Sequence, residues 1–356
     1  MTRDVDGPLE PGVRTSSLPD GGTPLNESPV RVGVLSLHDS KETKAILNAV
    51  EALGHETEWL RLENIIVRLE GGETTLSPDV DVVANRHLLS NTDRPFEELG
   101  LAQTLSGIKP MLNTPDATAR ATHKTAAAVA LSNDGLPVPK TVLSLSSHHL
   151  NQIRDEFAEE AVYKTAIGTH GGGTWKVRVD DSLAASVGNR RAFIQEFVGR
   201  TGETPRDLRV YVVDGQVVGA MYRYAIEGDW RTNVALGGRV EDATDAAPQA
   251  VFDLACRATS TLELDYAGVD LIEGDDVHLG GQSHGRVQRP VSCNRPKPSA
   301  AHREASHRAR RGIGRSGQSR EASVYARRLG AVLQTGSDPS HLRGADYHRI
   351  DRVGRG

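Results

Sequence analysis

The sequence predicts an α/β protein, and three observations support that prediction. Short apolar runs alternate with segments of helical periodicity between residues 31 and 106, which is typical of a parallel sheet. Asp214-Gly215 separates two further apolar runs and predicts a β-hairpin. Another apolar run ends at Lys164 and is followed by the glycine-rich stretch 168–173. We interpret this arrangement as a nucleotide clamp, because the chain has no P-loop motif that would cradle phosphates.

The individual elements follow from periodicity and from turn residues. Apolar positions three and four residues apart predict helices, and short apolar or β-branched runs predict strands. The predicted strands are 31–37, 58–60, 80–84, 140–145, 162–164, 174–177, 193–198, 207–213, 216–222 and 266–272. The predicted helices are 41–53, 97–106, 118–133, 148–160 and 248–262.

These elements divide the chain into three folded parts between two flexible ends. The predicted parts are a disordered arm (1–29), an N-terminal α/β domain (30–113), a central subdomain with a glycine lid (114–192), a C-terminal subdomain (193–280) and a basic disordered tail (281–356). The arm is rich in Pro, Gly and Ser and lacks the apolar segment of a signal peptide. No apolar run approaches the ~20 residues that cross a bilayer, so we expect a cytoplasmic protein.

Charge is distributed unevenly along the chain. Residues 1–280 carry a net charge of −16, whereas residues 281–356 carry 15 Arg, 1 Lys and 5 acidic residues. The acidic body suits a salt-rich cytosol, although an ordinary acidic protein also fits this composition. The tail has three interpretations: a basic segment for nucleic acid, a solvated segment without a role, or the product of a shifted reading frame. We favour the shifted frame, because apolar periodicity ends abruptly after Gly280.

The lysines, the glycine loop and the strands that follow them together resemble the ATP-grasp superfamily. Within it, residues 31–279 are most similar to the RimK-like α-L-glutamate ligases. This resemblance implies an ATP-grasp fold, in which an N-terminal parallel α/β domain precedes two α+β subdomains that clamp ATP. The subdomains predicted at 114–192 and 193–280 correspond to the two jaws of that clamp.

The resemblance also implies roles for individual residues. Its expected nucleotide contacts are Lys124, Lys164, Gly171, Gly172, Gly173, Gln195, Glu196, Phe197, Val198, Asp207, Arg231 and Asn233. Its expected catalytic cations, which face phosphate or a substrate carboxylate, are Arg209, Arg223 and Arg231. Judged alone, Lys124 also fits a surface lysine, and Asp207 and Arg209 also fit a cross-strand ion pair.

One expected part of the site is missing from the sequence. Asp270 matches the first carboxylate of the family's metal site. The family's next strand carries Glu-x-Asn. Val277-His-Leu279 begins that strand, but where Glu and Asn are expected this chain reads Gly280-Gly-Gln-Ser283. We therefore expect half of the metal site to be absent, the sheet to lose this strand and its covering helix, and turnover to be greatly reduced.

The function implied by the resemblance is ATP- and Mg²⁺-dependent ligation of a carboxylate to an amine through an acyl phosphate. The expected substrates are an amino acid such as glutamate and an acceptor carboxylate on a protein tail or a coenzyme, with Mn²⁺ as an alternative metal. Neither a membrane nor a nucleic-acid partner is expected, and a homo-oligomer is left open. Two alternatives remain: a nucleotide-binding protein with impaired catalysis, and a nucleic-acid-associated protein that uses the basic tail.

Overall fold

The structure is a computed structural model that describes residues 29–37, 39–61, 63–87, 89–168, 173–178, 180–199, 203–234, 237–274 and 277–283. The predicted arm, apart from residue 29, and the predicted tail beyond residue 283 lie outside the described residues. None of the helices in the described part of the chain is both long and apolar enough to cross a membrane.

The first part of the chain forms a parallel sheet and its helices. Its elements are β1 (Arg31–Leu35), α1 (Lys41–Ala52), β2 (Glu56–Leu60), β3 (Ile66–Glu70), β4 (Glu73–Ser77), β5 (Val82–Asn85), α2 (Pro95–Ile108) and β6 (Met111–Leu112). The sheet has the order β2-β1-β5-β6 with all strands parallel. The β3–β4 hairpin was not predicted, because its residues are mostly exposed and show no buried alternation.

The middle of the chain forms two helices and then an antiparallel sheet. Its elements are α3 (Pro115–Thr122), α4 (Lys124–Asn133), β7 (Thr141–Leu143), α5 (Ser147–Ile153), β8 (Glu160–Thr165), β9 (Thr174–Arg178), β10 (Ser186–Val187) and β11 (Arg190–Glu196). The sheet has the order β10-β11-β8-β9, and β7 also pairs with β11.

Two helix predictions in this part were wrong in extent. The helix predicted at 118–133 is two helices, because His123 is extended (φ −88°, ψ 101°) and its ring caps α4 by accepting from the Ala126 amide. The helix predicted at 148–160 ends at Ile153, and Arg154–Glu156 forms a short 3₁₀ turn before β8 begins.

The last described part forms a five-stranded antiparallel sheet with one helix. Its elements are β12 (Arg206–Val213), β13 (Gln216–Tyr224), β14 (Arg239–Asp242), α6 (Gln249–Thr261), β15 (Tyr266–Glu273) and β16 (Val277–Ser283), in the sheet order β14-β13-β12-β15-β16. Asp214 and Gly215 both have positive φ (46° and 69°), which fits the tight hairpin predicted between β12 and β13.

The expected loss of the last strand was wrong. β16 continues through residues 280–283 and pairs with β15, so that Gly281 lies opposite Asp270. The register shifts between Asp270 and Leu271, where β16 carries one additional residue. Backbone pairing does not require the missing Glu and Asn side chains, so the strand forms although its expected metal ligands are absent. The first three residues of the predicted tail therefore belong to this sheet.

The two faces of the last sheet pack against different parts of the protein. Leu208, Val210 and Val212 of β12 point to one face, where they join a core with α3, α4 and α6. Tyr211 and Val213 point to the other face and pack with the N-terminal sheet. The same face carries Asp207 and Arg209 of β12 and Asp270 of β15, so the N-terminal domain borders the candidate site.

Candidate functional site

The centre of the candidate site is a charge network on three adjacent strands. β12 contributes Asp207 and Arg209, β13 contributes Arg223, and β15 contributes Asp270. The register places Asp207 opposite Arg223 and Arg209 opposite Asp270. Because these residues occupy alternate positions of paired strands, their side chains meet on one face of the sheet.

Asp270 is bound by two arginines. Its carboxylate accepts from Arg209 Nε at 2.6 Å and from the Arg209 Nη2 at 2.8 Å, and Arg223 Nη2 lies 3.0 Å from Oδ1. Burial acts to raise the pKa of Asp270, but the charges of Arg209 and Arg223 outweigh it and hold the pKa below its usual range. Asp270 is therefore ionised, and its oxygens are already engaged by guanidinium groups.

Asp207 forms the second ion pair of the network. Arg223 donates to it through Nε at 2.8 Å and through Nη2. Burial raises the pKa of Asp207 despite the opposing hydrogen bonds from Arg223. The Thr232 side chain also hydrogen-bonds the charged form of Asp207, which links the network to the segment after β13.

Lys164 is the penultimate residue of β8, which ends one residue later than predicted, and it pairs with β11. Its ammonium donates to Gln195 Oε1 at 2.6 Å, and Gln195 Nε2 in turn donates to Thr141 Oγ1 at 2.7 Å. Burial, together with the charge of Lys124, lowers the pKa of Lys164 to about 8, and the charge of Asp270 opposes this change. A largely desolvated lysine near a second cation is well suited to accept an anion.

Lys124 opens α4 and points to the start of the glycine loop. Its ammonium donates to the Gly168 carbonyl at 2.8 Å and to the Thr165 carbonyl at 3.3 Å. Burial, together with the charge of Arg190, lowers the pKa of Lys124 to about 8. The reading of Lys124 as an ordinary surface lysine does not fit this buried environment. The interruption between α3 and α4 at His123 makes Lys124 the first residue of α4, and from there its side chain reaches the start of the glycine loop.

The glycine-rich stretch 168–173 is described only at its two ends, Gly168 and Gly173. Gly173 has φ 77°, and a Cβ there would lie 2.6 Å from Thr165 Oγ1, so a side chain at this position would clash and strain the backbone. Gly171 and Gly172 lie outside the described residues. The predicted phosphate contact of these two glycines stays a prediction.

The segment predicted to hold adenine follows directly from β11. Glu196 Oε1 accepts from the Lys140 amide at 2.8 Å, so this carboxylate is tied to the preceding linker. Phe197 packs edge-on against Trp230 at 5.8 Å, and Lys176 Nζ lies 4.0 Å from the centre of the Phe197 ring. Val198 lies beyond the end of β11, and the ribose and adenine contacts of this segment stay predictions.

Arg231 and Asn233 lie in the loop after β13. Arg231 forms a local ion pair with Asp229, at 2.8 Å from Nη2 to Oδ2, and Asn233 is half-buried. No contact in the described residues joins the Arg231 guanidinium to the Asp207–Asp270 network. The catalytic role of Arg231 stays a prediction.

Three residues around the site were missed by sequence reasoning. Arg190 acts on the pKa of Lys124, and Lys176 and Trp230 contact Phe197. Lys176 is a lysine on β9, the strand that directly follows the glycine loop, and this position in the sequence could have identified it. Arg190 and Trp230 carry no such signal, because only the strand pairing and the loop path bring them close.

The residues present do not fit the metal site that the resemblance implies. Mg²⁺ prefers several oxygen ligands, including one or two carboxylates. Asp270 is the one matched carboxylate, and its oxygens are taken by Arg209 and Arg223. β16 brings residues 280–283 alongside it without a carboxylate, and the described residues contain no group of three or more His, Cys, Asp or Glu that could hold a metal.

The fold is that of the ATP-grasp ligases, as comparison with solved structures shows. The ATP-grasp ligase PsnB, in complex with a minimal precursor, Mg and ADP, superposes with a TM-score of 0.53 at 18% identity, covering 85% of this chain and 98% of that chain. At this identity the likeness concerns the fold. ATP-grasp proteins bind ATP together with a divalent metal.

Sequence comparisons show which ATP-grasp proteins this chain is similar to. Residues 121–280 match the model of the RimK-like ATP-grasp domain. The tetrahydromethanopterin:α-L-glutamate ligase of Methanocaldococcus jannaschii is 38% identical over 189 residues, which cover 51% of this chain and 64% of that protein. A probable α-L-glutamate ligase of Shewanella pealeana is 25% identical over 263 residues, covering 69% of this chain and 56% of that protein. Residues 121–280 are thus similar to the RimK-like ATP-grasp domain, and the chain spans about 60% of the lengths of these two relatives.

Proposed function

We propose that this protein has the site of an ATP-dependent carboxylate–amine ligase. The observation that carries the proposal is the cluster of Lys124, Lys164, Arg209 and Arg223 around only two carboxylates, Asp207 and Asp270. Four cations against two anions leave positive charge that phosphate groups would neutralise. Both lysines are desolvated by burial, so an anion that binds them has little water to displace.

The chemistry proceeds in two steps. A carboxylate oxygen of the acceptor attacks the γ-phosphorus of ATP, ADP leaves, and an acyl phosphate forms. The nitrogen of the amino acid then attacks the acyl carbon, phosphate leaves, and the amine loses a proton as the amide forms. In this chain, Lys124 and Lys164 bind phosphate oxygens and Gln195 orients Lys164. We derive no step through Mg²⁺, because the residues present do not fit the metal.

We further propose that the amino acid is glutamate and that Gln195, Glu196, Phe197 and Val198 border the adenosine. The support for glutamate is that the relatives described above are named as α-L-glutamate ligases. The acceptor carries a carboxylate, and the relatives' names suggest a coenzyme of the tetrahydromethanopterin type as one class. The carboxyl end of a peptide is the other class to test.

The experiment that tests the ligase proposal uses the purified full chain with ATP, Mg²⁺ and L-glutamate. One reaction contains tetrahydromethanopterin, and another contains a peptide with a free carboxyl end. We expect slow ADP release that depends on glutamate, because half of the expected metal site is absent, together with a product heavier by one glutamate residue in mass spectrometry. Lys164→Met serves as the matched variant and should release at least tenfold less ADP. Glutamate-independent ADP release, or no product in either reaction, contradicts the ligase proposal.

A specific observation favours a second function, a nucleotide-binding protein with little turnover. Asp270 is saturated by Arg209 and Arg223, and the expected Glu and Asn are replaced by Gly280 and Gln282. ADP binding without turnover in the assay above supports this second function. The basic tail that carries the nucleic-acid alternative lies beyond residue 283, outside the described residues.

A further inference from the structure

Arg86 is a buried cation at the edge of the N-terminal sheet, outside the network described above. It follows β5, and its amide donates to the Leu35 carbonyl at 2.8 Å, so it lies where β1 and β5 both end. Its exposed fraction is only 5%. In open parallel α/β sheets, ligands bind at this carboxyl edge of the strands.

The guanidinium of Arg86 has no carboxylate within ion-pair distance among the residues that the structure describes. Nε is buried without a hydrogen-bond partner, and no carboxylate among the described residues pairs with this side chain. The nearby carboxylates are committed elsewhere: Glu98 to His87 and Thr92, and Asp265 to the Asn113 amide. Burying an unpaired cation is strongly unfavourable, so this arrangement favours a site that an external anion completes.

Arg86 also faces the sheet that carries the nucleotide site. Tyr266 of β15 donates its hydroxyl to the Asn85 carbonyl at 2.5 Å, and the positive charge of Arg86 acts on Tyr266. Tyr266 and Asp270 share one face of β15, separated by four residues or about 13 Å. Tyr211, opposite Gly268, lies between them on the same face. Arg86 and the charge network thus lie at two ends of one surface.

We propose that Arg86 binds a carboxylate of the amino-acid substrate. This inference rests on the proposed ligase function, in which the amine reacts at the network and the amino acid's carboxylates stay charged. A guanidinium accepts a carboxylate in a two-point geometry, which a lysine cannot reproduce. The substrate carboxylate supplies the negative charge that pairs with the Arg86 guanidinium.

The test measures L-glutamate binding to the full chain by saturation-transfer NMR in the presence of ADP. We expect Arg86→Gln to raise the Kd for L-glutamate at least tenfold and Arg86→Lys to raise it less. Arg94→Gln replaces an exposed arginine of the same domain and should leave the Kd unchanged. L-Glutamine and the α-amide of L-glutamate, each lacking one carboxylate, identify which group Arg86 holds.

Nucleotide binding separates failure of this inference from failure of the proposed function. ADP affinity and thermal unfolding, measured for every variant, show whether Arg86→Gln folds, and Arg86→Lys provides the answer if it does not. Equal L-glutamate affinity in the wild type and a folded Arg86 variant overturns the inference, as does a wild type that binds ADP but not L-glutamate. A wild type that binds no ADP overturns the proposed function instead, whatever the outcome at Arg86.

Discussion

Arg209 and Asp270 lie opposite each other on β12 and β15 and are joined by two hydrogen bonds of 2.6 and 2.8 Å. Both side chains are mostly buried, with exposed fractions of 16% and 18%. The carboxylate expected to hold a metal is therefore held by arginine in this chain. The Arg209–Asp270 pair therefore bears on both Mg²⁺ binding and the unfolding free energy.

Removing Asp270 should destabilise the protein. Asp270→Ala leaves Arg209 and Arg223 buried with one counter-charge fewer, and breaking such a pair costs about 3–5 kcal/mol of unfolding free energy. Urea unfolding measures this loss. Glu56→Ala breaks the exposed pair with Arg31 and should cost far less, because solvent screens an exposed ion pair. Equal costs for the two variants would show that the Asp270 pair is not desolvated.

Stability should rise with pH because of the two site lysines. The folded-state pKa of Lys124 and Lys164 is about 8, against 10.5 for an unperturbed lysine. Between these values the unfolded chain binds more protons than the folded chain, so the unfolding free energy rises as pH rises from about 8 toward 10.5. For each lysine we expect a gain on the order of 2 kcal/mol between pH 7 and 9.5.

The lysine double variant isolates this contribution from other titrating groups. Urea unfolding of the wild type and of Lys124→Met/Lys164→Met at pH 7 and 9.5 shows how the unfolding free energy of each protein changes with pH. The wild type should gain stability relative to the double variant over this range. A parallel pH dependence in both proteins would show that the lysines are not desolvated in the folded state.

The helix break before Lys124 should depend on the capping ring of His123. Its Nδ1 accepts from the Ala126 amide at 3.3 Å, and losing a cap costs about 1 kcal/mol. His123→Ala should lower the unfolding free energy by this amount and weaken ADP binding, because Lys124 is the first residue of α4. His123→Asn restores a capping side chain and should recover both. Full stability in His123→Ala would mean that the backbone alone fixes the break.

Removing magnesium should change nucleotide affinity little. With Asp270 held by two arginines and no carboxylate at 280–283, the protein offers Mg²⁺ few ligands. We expect calorimetric ADP affinity with Mg²⁺ and with EDTA to agree within about threefold, which is ~0.6 kcal/mol. A tenfold or larger gain with Mg²⁺ would show that metal displaces Arg209 from Asp270.

Much of the fold follows from local sequence signals. The hairpin at Asp214-Gly215 and helices α1 and α6 are encoded by turn residues and periodicity within their own segments. The division at His123 was missed because the alanine-rich residues around it favour one continuous helix. The continuation of β16 was missed because backbone pairing with β15 stabilises residues whose own composition predicts no strand.

The candidate site was predicted less completely than the fold. Lys164 precedes its glycine loop in sequence, so a local pattern identified it. Pairing of Arg223 with Asp207 was not predicted, because it depends on the register between β12 and β13. Arg86 carries no motif at all, and only its burial at the end of β5 distinguishes it from other arginines.

The most direct test of the central claim is the ADP affinity of the wild type and of the Lys124→Met/Lys164→Met variant, measured by calorimetry at pH 7. Lys44→Met, which removes an exposed lysine, is the control. Because we propose that the two buried lysines hold the nucleotide, we expect the wild type and the control to bind ADP. In the double variant the ADP affinity should fall at least a hundredfold, which is about 2.7 kcal/mol. No ADP binding by the wild type, or equal affinity in all three proteins, would contradict a nucleotide site at Lys124 and Lys164.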